Sequence, residues 1–356
     1  MIGKIAVATL LCLLTATASR AQAIAQRGEP LAAVCGRLPV EDACNLIAEA
    51  SAMLHASYAK PKESEGEAAF RALGYDATYV PAGGGLFQNR NNVFLVSKPG
   101  SNRLFIVITG TETPRDAIQD LKFKPYTMVY EDGRFYVPPG HAGFRRGTLS
   151  IIKSGALHSK EFDQAPLDCA HPADHPSLLA QYLCLNHVSS GAGPIDAVLV
   201  GHSLGAGIAI MSATAFAGLE IKRPDALGNA TIEAQQFWPL RLQAVIGFAP
   251  PYAVYIKSDR EAGIKVPAGI DDQWKVLNRY GISDRTILFL NERDIVPALS
   301  LGQGRHFGHR FRIQVDGTVS YDGTVWGKDI SMIQAHSSVG YCSDVLTALG
   351  RPLACE

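Results

Sequence analysis

Ala197-Val198-Leu199-Val200-Gly201-His202-Ser203-Leu204-Gly205-Ala206-Gly207-Ile208-Ala209-Ile210 is the stretch that decides the reading of this chain. The unbroken apolar run before Gly201 predicts a buried strand, and the small and apolar residues after Gly205 predict a helix. The segment between them must then be a sharp turn. In such a turn the serine hydroxyl stands exposed, and Gly201 and Gly205 let the strand and helix backbones pass closely. Ser203 is therefore a candidate nucleophile. The bland alternative is a packing turn, and the pentapeptide alone does not separate the two.

A serine hydroxyl is a poor nucleophile near neutrality. Acyl transfer needs an imidazole to take its proton and a carboxylate to hold that imidazole in the right tautomer. Thr286-Ile287-Leu288-Phe289-Leu290 reads as a strand, and Asn291-Glu292-Arg293-Asp294-Ile295-Val296-Pro297 follows at its carboxyl end, which makes Asp294 the candidate acid. Asp284, Asp316 and Asp329 are nearby acids, and capping a turn is the plain alternative for Asp294. The last polar cluster, Gln334-Ala335-His336-Ser337-Ser338-Val339-Gly340-Tyr341, offers His336 as the base, with a helix N-cap or surface histidine as its alternative. The order Ser203, Asp294, His336 is the chain order of an α/β-hydrolase. Upstream, the strand Arg103-Leu104-Phe105-Ile106-Val107-Ile108 ends in Thr109-Gly110-Thr111. Thr111, by amide and hydroxyl, and the amide of Leu204 are the candidate oxyanion-hole donors; an ordinary strand-ending turn is the alternative.

These residues resemble the class 3 lipase family, the fungal-lipase-like branch of the α/β-hydrolases, in a bacterial-type secreted member. Ile106-Val107-Ile108-Thr109-Gly110-Thr111 followed by Asp116-Ala117-Ile118-Gln119-Asp120-Leu121 resembles the family's strand, oxyanion turn and acidic stretch. His141-Ala142-Gly143-Phe144 is similar to its His-x-Gly-Phe, Phe248-Ala249-Pro250 to its Phe-Gly-x-Pro, and Asp294-Ile295-Val296-Pro297 to its Asp-x-Val-Pro. The similarity runs from Asn92 to Tyr341. Thr109 stands where the family usually has Arg, Ala249 where it has Gly, and Pro251 where an Arg often follows. The long span from Ser203 to Asp294 implies inserted loops around Leu219 to Gln236 and Pro251 to Asp284. The resemblance also implies a lid after the oxyanion turn, Glu112 to Phe123, whose large apolar residues are Ile118, Leu121 and Phe123.

The remaining histidines carry weaker signals. His202 reads as a support for the elbow and His141 as a structural hydrogen-bonding residue. The pairs His171 with His175 and His306 with His309 have spacings compatible with metal ligation, but no Cys or carboxylate completes a set. No metal and no cofactor is expected.

Met1-Ile2-Gly3-Lys4, the apolar or small stretch Ile5 to Ala18, and Ala21-Gln22-Ala23 make residues 1–23 a secretory signal peptide. The apolar stretch is short for a membrane span. Cleavage after Ala23 removes one of the 7 cysteines and leaves an even number, which argues for disulfides in an oxidising compartment, extracellular or periplasmic. Cys35 with Cys44, Cys169 with Cys184 and Cys342 with Cys355 are the natural local pairs, other pairings or free buried thiols being the alternatives.

The formal net charge is +0 and no basic stripe is present, so nucleic acid is not expected as a partner. No repeat or long linker divides residues 24–356, which read as a single α/β domain with a mostly parallel sheet and helices on both faces. Asp42 to Tyr58 reads as a helix, Asn92 to Val96 and Leu104 to Ile108 as a hairpin, and Phe311 to Val315 with Val319 to Tyr321 as another. His158 to His187, rich in Pro, His and Cys, reads as a stapled insertion. The expected function is a secreted serine carboxylic-ester hydrolase, a lipase or esterase, acting on a lipid or small ester, with transient contact at a lipid interface and no stable protein partner. Its alternatives are a phospholipase-type acyl hydrolase and a non-catalytic binding protein that retains the fold.

Overall fold

The computed structural model describes residues 27–58, 63–80, 93–110, 125–126, 140–141, 144, 148, 169–171, 178–186, 194–222, 231–234, 240–252, 273–294, 296–298, 306–321, 336–352 and 355. The expected signal peptide, Thr111, the lid segment Glu112 to Phe123, His175 and Asp329 lie outside them.

The chain runs through α1 (Leu31–Val34), α2 (Ala43–Tyr58) and α3 (Glu63–Ala72), then lays down β1 (Asp76–Val80), β2 (Val93–Ser97) and β3 (Arg103–Ile108). A two-stranded ribbon, β4 (Pro125–Tyr126) with β5 (Gly140–His141), precedes α4 (Leu178–Asn186), β6 (Ile195–His202) and α5 (Leu204–Phe216). A second ribbon, β7 (Leu219–Lys222) with β8 (Thr231–Ala234), occupies the first expected inserted loop. Then come β9 (Leu240–Phe248), α6 (Gln273–Arg279), β10 (Thr286–Asn291), β11 (His309–Ile313), β12 (Val319–Tyr321) and α7 (Ser338–Ala348).

The main sheet is 8-stranded in the order β1-β2-β3-β6-β9-β10-β11-β12. Its centre, β3, β6, β9, β10 and β11, is parallel, and β1, β2 and β12 are antiparallel to their neighbours. Each parallel crossover steps the same way across the sheet. Right-handed connections then place the described intervening helices on one face. Leu179 and Leu183 of α4, Ile208 and Met211 of α5, and Val276 and Leu277 of α6 accordingly share one hydrophobic cluster. The other face is covered by the helices at the two ends of the described chain: Leu46, Ile47 and Leu54 of α2, Phe70 of α3, and Tyr341 and Val345 of α7.

This double cover explains why β6 reads as a continuous apolar run. Ala197 and Leu199 face the crossover helices while Val198 and Val200 face the terminal ones, and every residue of the strand is buried. Both expected hairpins are present, β2 with β3 and β11 with β12. Disulfides join Cys35 to Cys44, Cys169 to Cys184 and Cys342 to Cys355, with Cα atoms 5.0, 5.1 and 6.0 Å apart. The His158 to His187 segment departs from the sequence reading. The expected staple is present as Cys169–Cys184, but the described stretch Leu178–Asn186 is α4, a buried crossover helix between β3 and β6 with Leu179, Ala180, Leu183 and Cys184 in the core, and this stretch belongs to the framework.

Candidate active site

The parallel strands β6 and β10 deliver their carboxyl ends to one edge of the sheet, where ligand sites in open α/β sheets form. Ser203 sits directly between β6 and α5 with φ 54° and ψ −127°, a conformation that costs a non-glycine residue about 1–3 kcal/mol. The turn is held by its neighbours: the Ser203 N–H donates to Phe248 O at 2.9 Å, and its carbonyl accepts from Ala206 N–H at 3.0 Å. The flanking glycines are steric requirements. A Cβ on Gly201 would lie 2.6 Å from Ala206 Cα, and one on Gly205 would lie 2.7 Å from Thr109 O. On the β3 side a Cβ on Gly110 would meet Ser203 Cβ at 2.8 Å, so the strand-ending turn is pressed against the elbow.

Ser203, Asp294 and His336 are brought together from three separate parts of the chain. His336 Nε2 is 2.8 Å from Ser203 Oγ, and His336 Nδ1 is 2.7 Å from Asp294 Oδ2. A carboxylate only accepts, so Nδ1 carries the proton and Nε2 is left to accept from the serine hydroxyl. Asp294 follows β10, and its other oxygen, Oδ1, accepts from the Val296 N–H at 2.9 Å; it makes a turn contact and holds the imidazole at once. His336 does not cap α7. That place belongs to Ser337, whose hydroxyl accepts from Gly340 N–H at 3.0 Å. All three side chains are buried.

Leu204 opens α5, where backbone N–H groups have no intrahelical acceptor. Thr111 is outside the described residues. Of the competing acids, Asp284 is exposed and beside His309, and Asp316 is exposed in a turn that accepts from Thr318 N–H at 2.9 Å.

Two tyrosines at this site went unassigned in the sequence. Tyr341 donates its hydroxyl proton to Asp294 Oδ2 at 2.8 Å and accepts from the Asn291 N–H at 3.0 Å, which fixes the carboxylate from behind. Burial, and then the charge of Asp294, push the Tyr341 hydroxyl pKa well up, so it stays a donor. Tyr58, the last residue of α2, places its hydroxyl 3.0 Å from His202 Nδ1 and accepts from the Gly110 N–H at 2.7 Å. Burial lowers the pKa of His202 well below its ordinary value, with the neighbouring His336 acting in the same direction.

Of the histidine pairs, His175 lies outside the described residues. His171 is exposed, whereas His306 is buried and stacked on Tyr252 with ring centroids 4.4 Å apart. Burial lowers His306 to about 3. Among the described residues no group of three or more His, Cys, Asp or Glu is arranged to hold a metal ion.

No protein-family model matches the chain, and no curated protein matches it in sequence. Solved structures do match. The triacylglyceride lipase of Rhizomucor miehei aligns over 89% of this chain and 98% of its own at a TM-score of 0.50 and 15% identity. A structure described as fungal lipases aligns over 85% of this chain and 96% of its own at a TM-score of 0.50 and 13% identity. The chain has the α/β-hydrolase fold. In that fold the nucleophile elbow is the strand-to-helix turn at the top of the sheet, and here that turn is Gly201 to Gly205.

Proposed function

We propose that this α/β-hydrolase is a secreted serine carboxylic-ester hydrolase of the lipase or esterase kind, a bacterial-type relative of the class 3 lipases. The observation that carries the reading is the unbroken hydrogen-bond chain from Ser203 Oγ through His336 to Asp294. In this reading Ser203 Oγ attacks the ester carbonyl while His336 Nε2 takes its proton, and Asp294 holds the tautomer and the resulting charge. The oxyanion is received by Thr111 and by the Leu204 amide. His336 returns the proton to the leaving alcohol, then activates the water that releases the acid. No cofactor enters these steps.

Residues 1–23 act as the export signal, and residues 24–356 form a single catalytic domain. The three disulfides support an oxidising destination. The segment Glu112 to Phe123 supplies the lid. It carries few large apolar residues, and opening it onto oil gains little at about 25 cal/mol per Å² of apolar area. The substrates are therefore soluble or short-to-medium acyl esters. A hydrolysis series over p-nitrophenyl esters of increasing chain length, run below and above their solubility, tests this. The expected result is ordinary saturation with short esters and no rate jump as emulsion appears. Asp294→Asn should cut kcat by up to about 10⁴-fold, and a near-wild-type rate would move the acid elsewhere.

A further inference from the structure

We propose that Tyr58 is a positioning residue for ester hydrolysis, whose single hydroxyl ties the oxyanion turn after β3 to the elbow that carries Ser203. The inference rests on the ester-hydrolase reading above and extends it to a residue outside the three-residue relay.

Two polar contacts meet at the Tyr58 oxygen. A peptide N–H can only donate, so the Tyr58 oxygen is the acceptor for Gly110 at 2.7 Å. The same oxygen lies 3.0 Å from His202 Nδ1, within hydrogen-bond distance. Burial favours the neutral imidazole of His202. Gly110 and Ser203 are thus held to one oxygen from two sides, the first through its own amide and the second through the adjacent His202. The backbone approach at Gly110, where even a Cβ would collide with His202 O at 2.7 Å, leaves little room for the turn to drift while that oxygen is in place.

Tyr58 is well mounted for the task. It ends α2, whose Met53 and Leu54 are buried against the sheet, and its ring meets the His202 ring edge-on at 5.5 Å and 89°. The link runs on to the base, because His202 in turn stacks on His336. One side chain on a rigid helix therefore sets the distance between the turn where the oxyanion is to be bound and the serine where it forms. Donors must be held to about 0.5 Å to stabilise an oxyanion effectively. The Gly110 amide, being committed to Tyr58, is not itself an oxyanion donor.

The test is Tyr58→Phe, which keeps the ring and removes the hydroxyl, assayed on a soluble p-nitrophenyl ester beside Ser203→Ala and the packing control Leu54→Val, with Tm for each. Loss of a whole oxyanion donor costs about 10²–10³-fold in kcat, and loosening the turn should cost less, about 10–10²-fold. The expected pattern is that fall in kcat for Tyr58→Phe, KM within about twofold of wild type and the folded state intact, with Leu54→Val lowering Tm and leaving kcat alone. A kcat for Tyr58→Phe within about threefold of wild type while Ser203→Ala is inactive would overturn the inference and leave the hydrolase reading standing. So would a loss that merely follows unfolding, or one shared by Leu54→Val. Full activity in Ser203→Ala would instead bring down the hydrolase reading itself.

Discussion

The imidazoles of His202 and His336 stack, with ring centroids 4.7 Å apart and planes inclined by 30°. In the proposed mechanism His336 becomes positively charged, and a second cation on its face would oppose that step. Burial keeps His202 neutral, as it does His306 in its stack on Tyr252.

Both histidines make the fold sensitive to acid in a defined direction. Their native pKa values lie below the unfolded value of 6.5, so below that pH the unfolded chain binds protons that the native protein refuses. The stability contribution is whole above about pH 6.5 and is lost as the pH falls toward the native pKa. With His306 at about 3, its share alone amounts to about 2 kcal/mol between pH 7 and pH 5. Denaturant unfolding at the two pH values should show a loss toward pH 5, and His306→Gln should flatten the slope. Equal pH dependence in the variant and the wild type would contradict this assignment.

Gly205→Ala should destabilise the fold. The added methyl would sit 2.7 Å from Thr109 O and clash with the Ile108 carbonyl group, backbone atoms at and just after the end of β3 that cannot swing aside. An overpacking penalty of about 3 kcal/mol follows, visible as insoluble expression or a lowered Tm. Gly36→Ala, where nothing lies within 4 Å of the new methyl, is the matched control and should express normally.

Tyr341→Phe should weaken the hold on Asp294 without changing the shape of the core. It leaves the Asn291 N–H and one lone pair of Asp294 Oδ2 without the hydroxyl that each contacts at 3.0 and 2.8 Å. Unsatisfied buried groups of this kind cost about 1–3 kcal/mol. Stability should fall within that range and kcat by roughly tenfold, with KM little changed. A variant as stable and as fast as wild type would show that Val296 and His336 suffice to hold the carboxylate.

The central sheet was legible because its strands are covered on both faces and so appear as uninterrupted apolar runs, Leu104 to Ile108 and Ala197 to Val200 above all. The meeting of Ser203, Asp294 and His336 could be expected because each follows a strand or precedes a helix with a strong pattern. The failures have physical causes. Helix α4 was concealed because the chain before it is crowded with Pro and His, although Leu179, Ala180 and Leu183 fill the core. Tyr58 was invisible as a site residue because its partners, Gly110 and His202, lie 52 and 144 residues away in sequence. No local pattern encodes such a meeting.

The most direct test of the account is covalent labelling with a fluorophosphonate, followed by peptide mapping of the adduct. The account predicts one phosphonyl group per chain, on Ser203, with ester hydrolysis lost in proportion to labelling and no labelling of Ser203→Ala. An active enzyme that is labelled elsewhere, or that hydrolyses esters undiminished with Ser203 replaced, would contradict it.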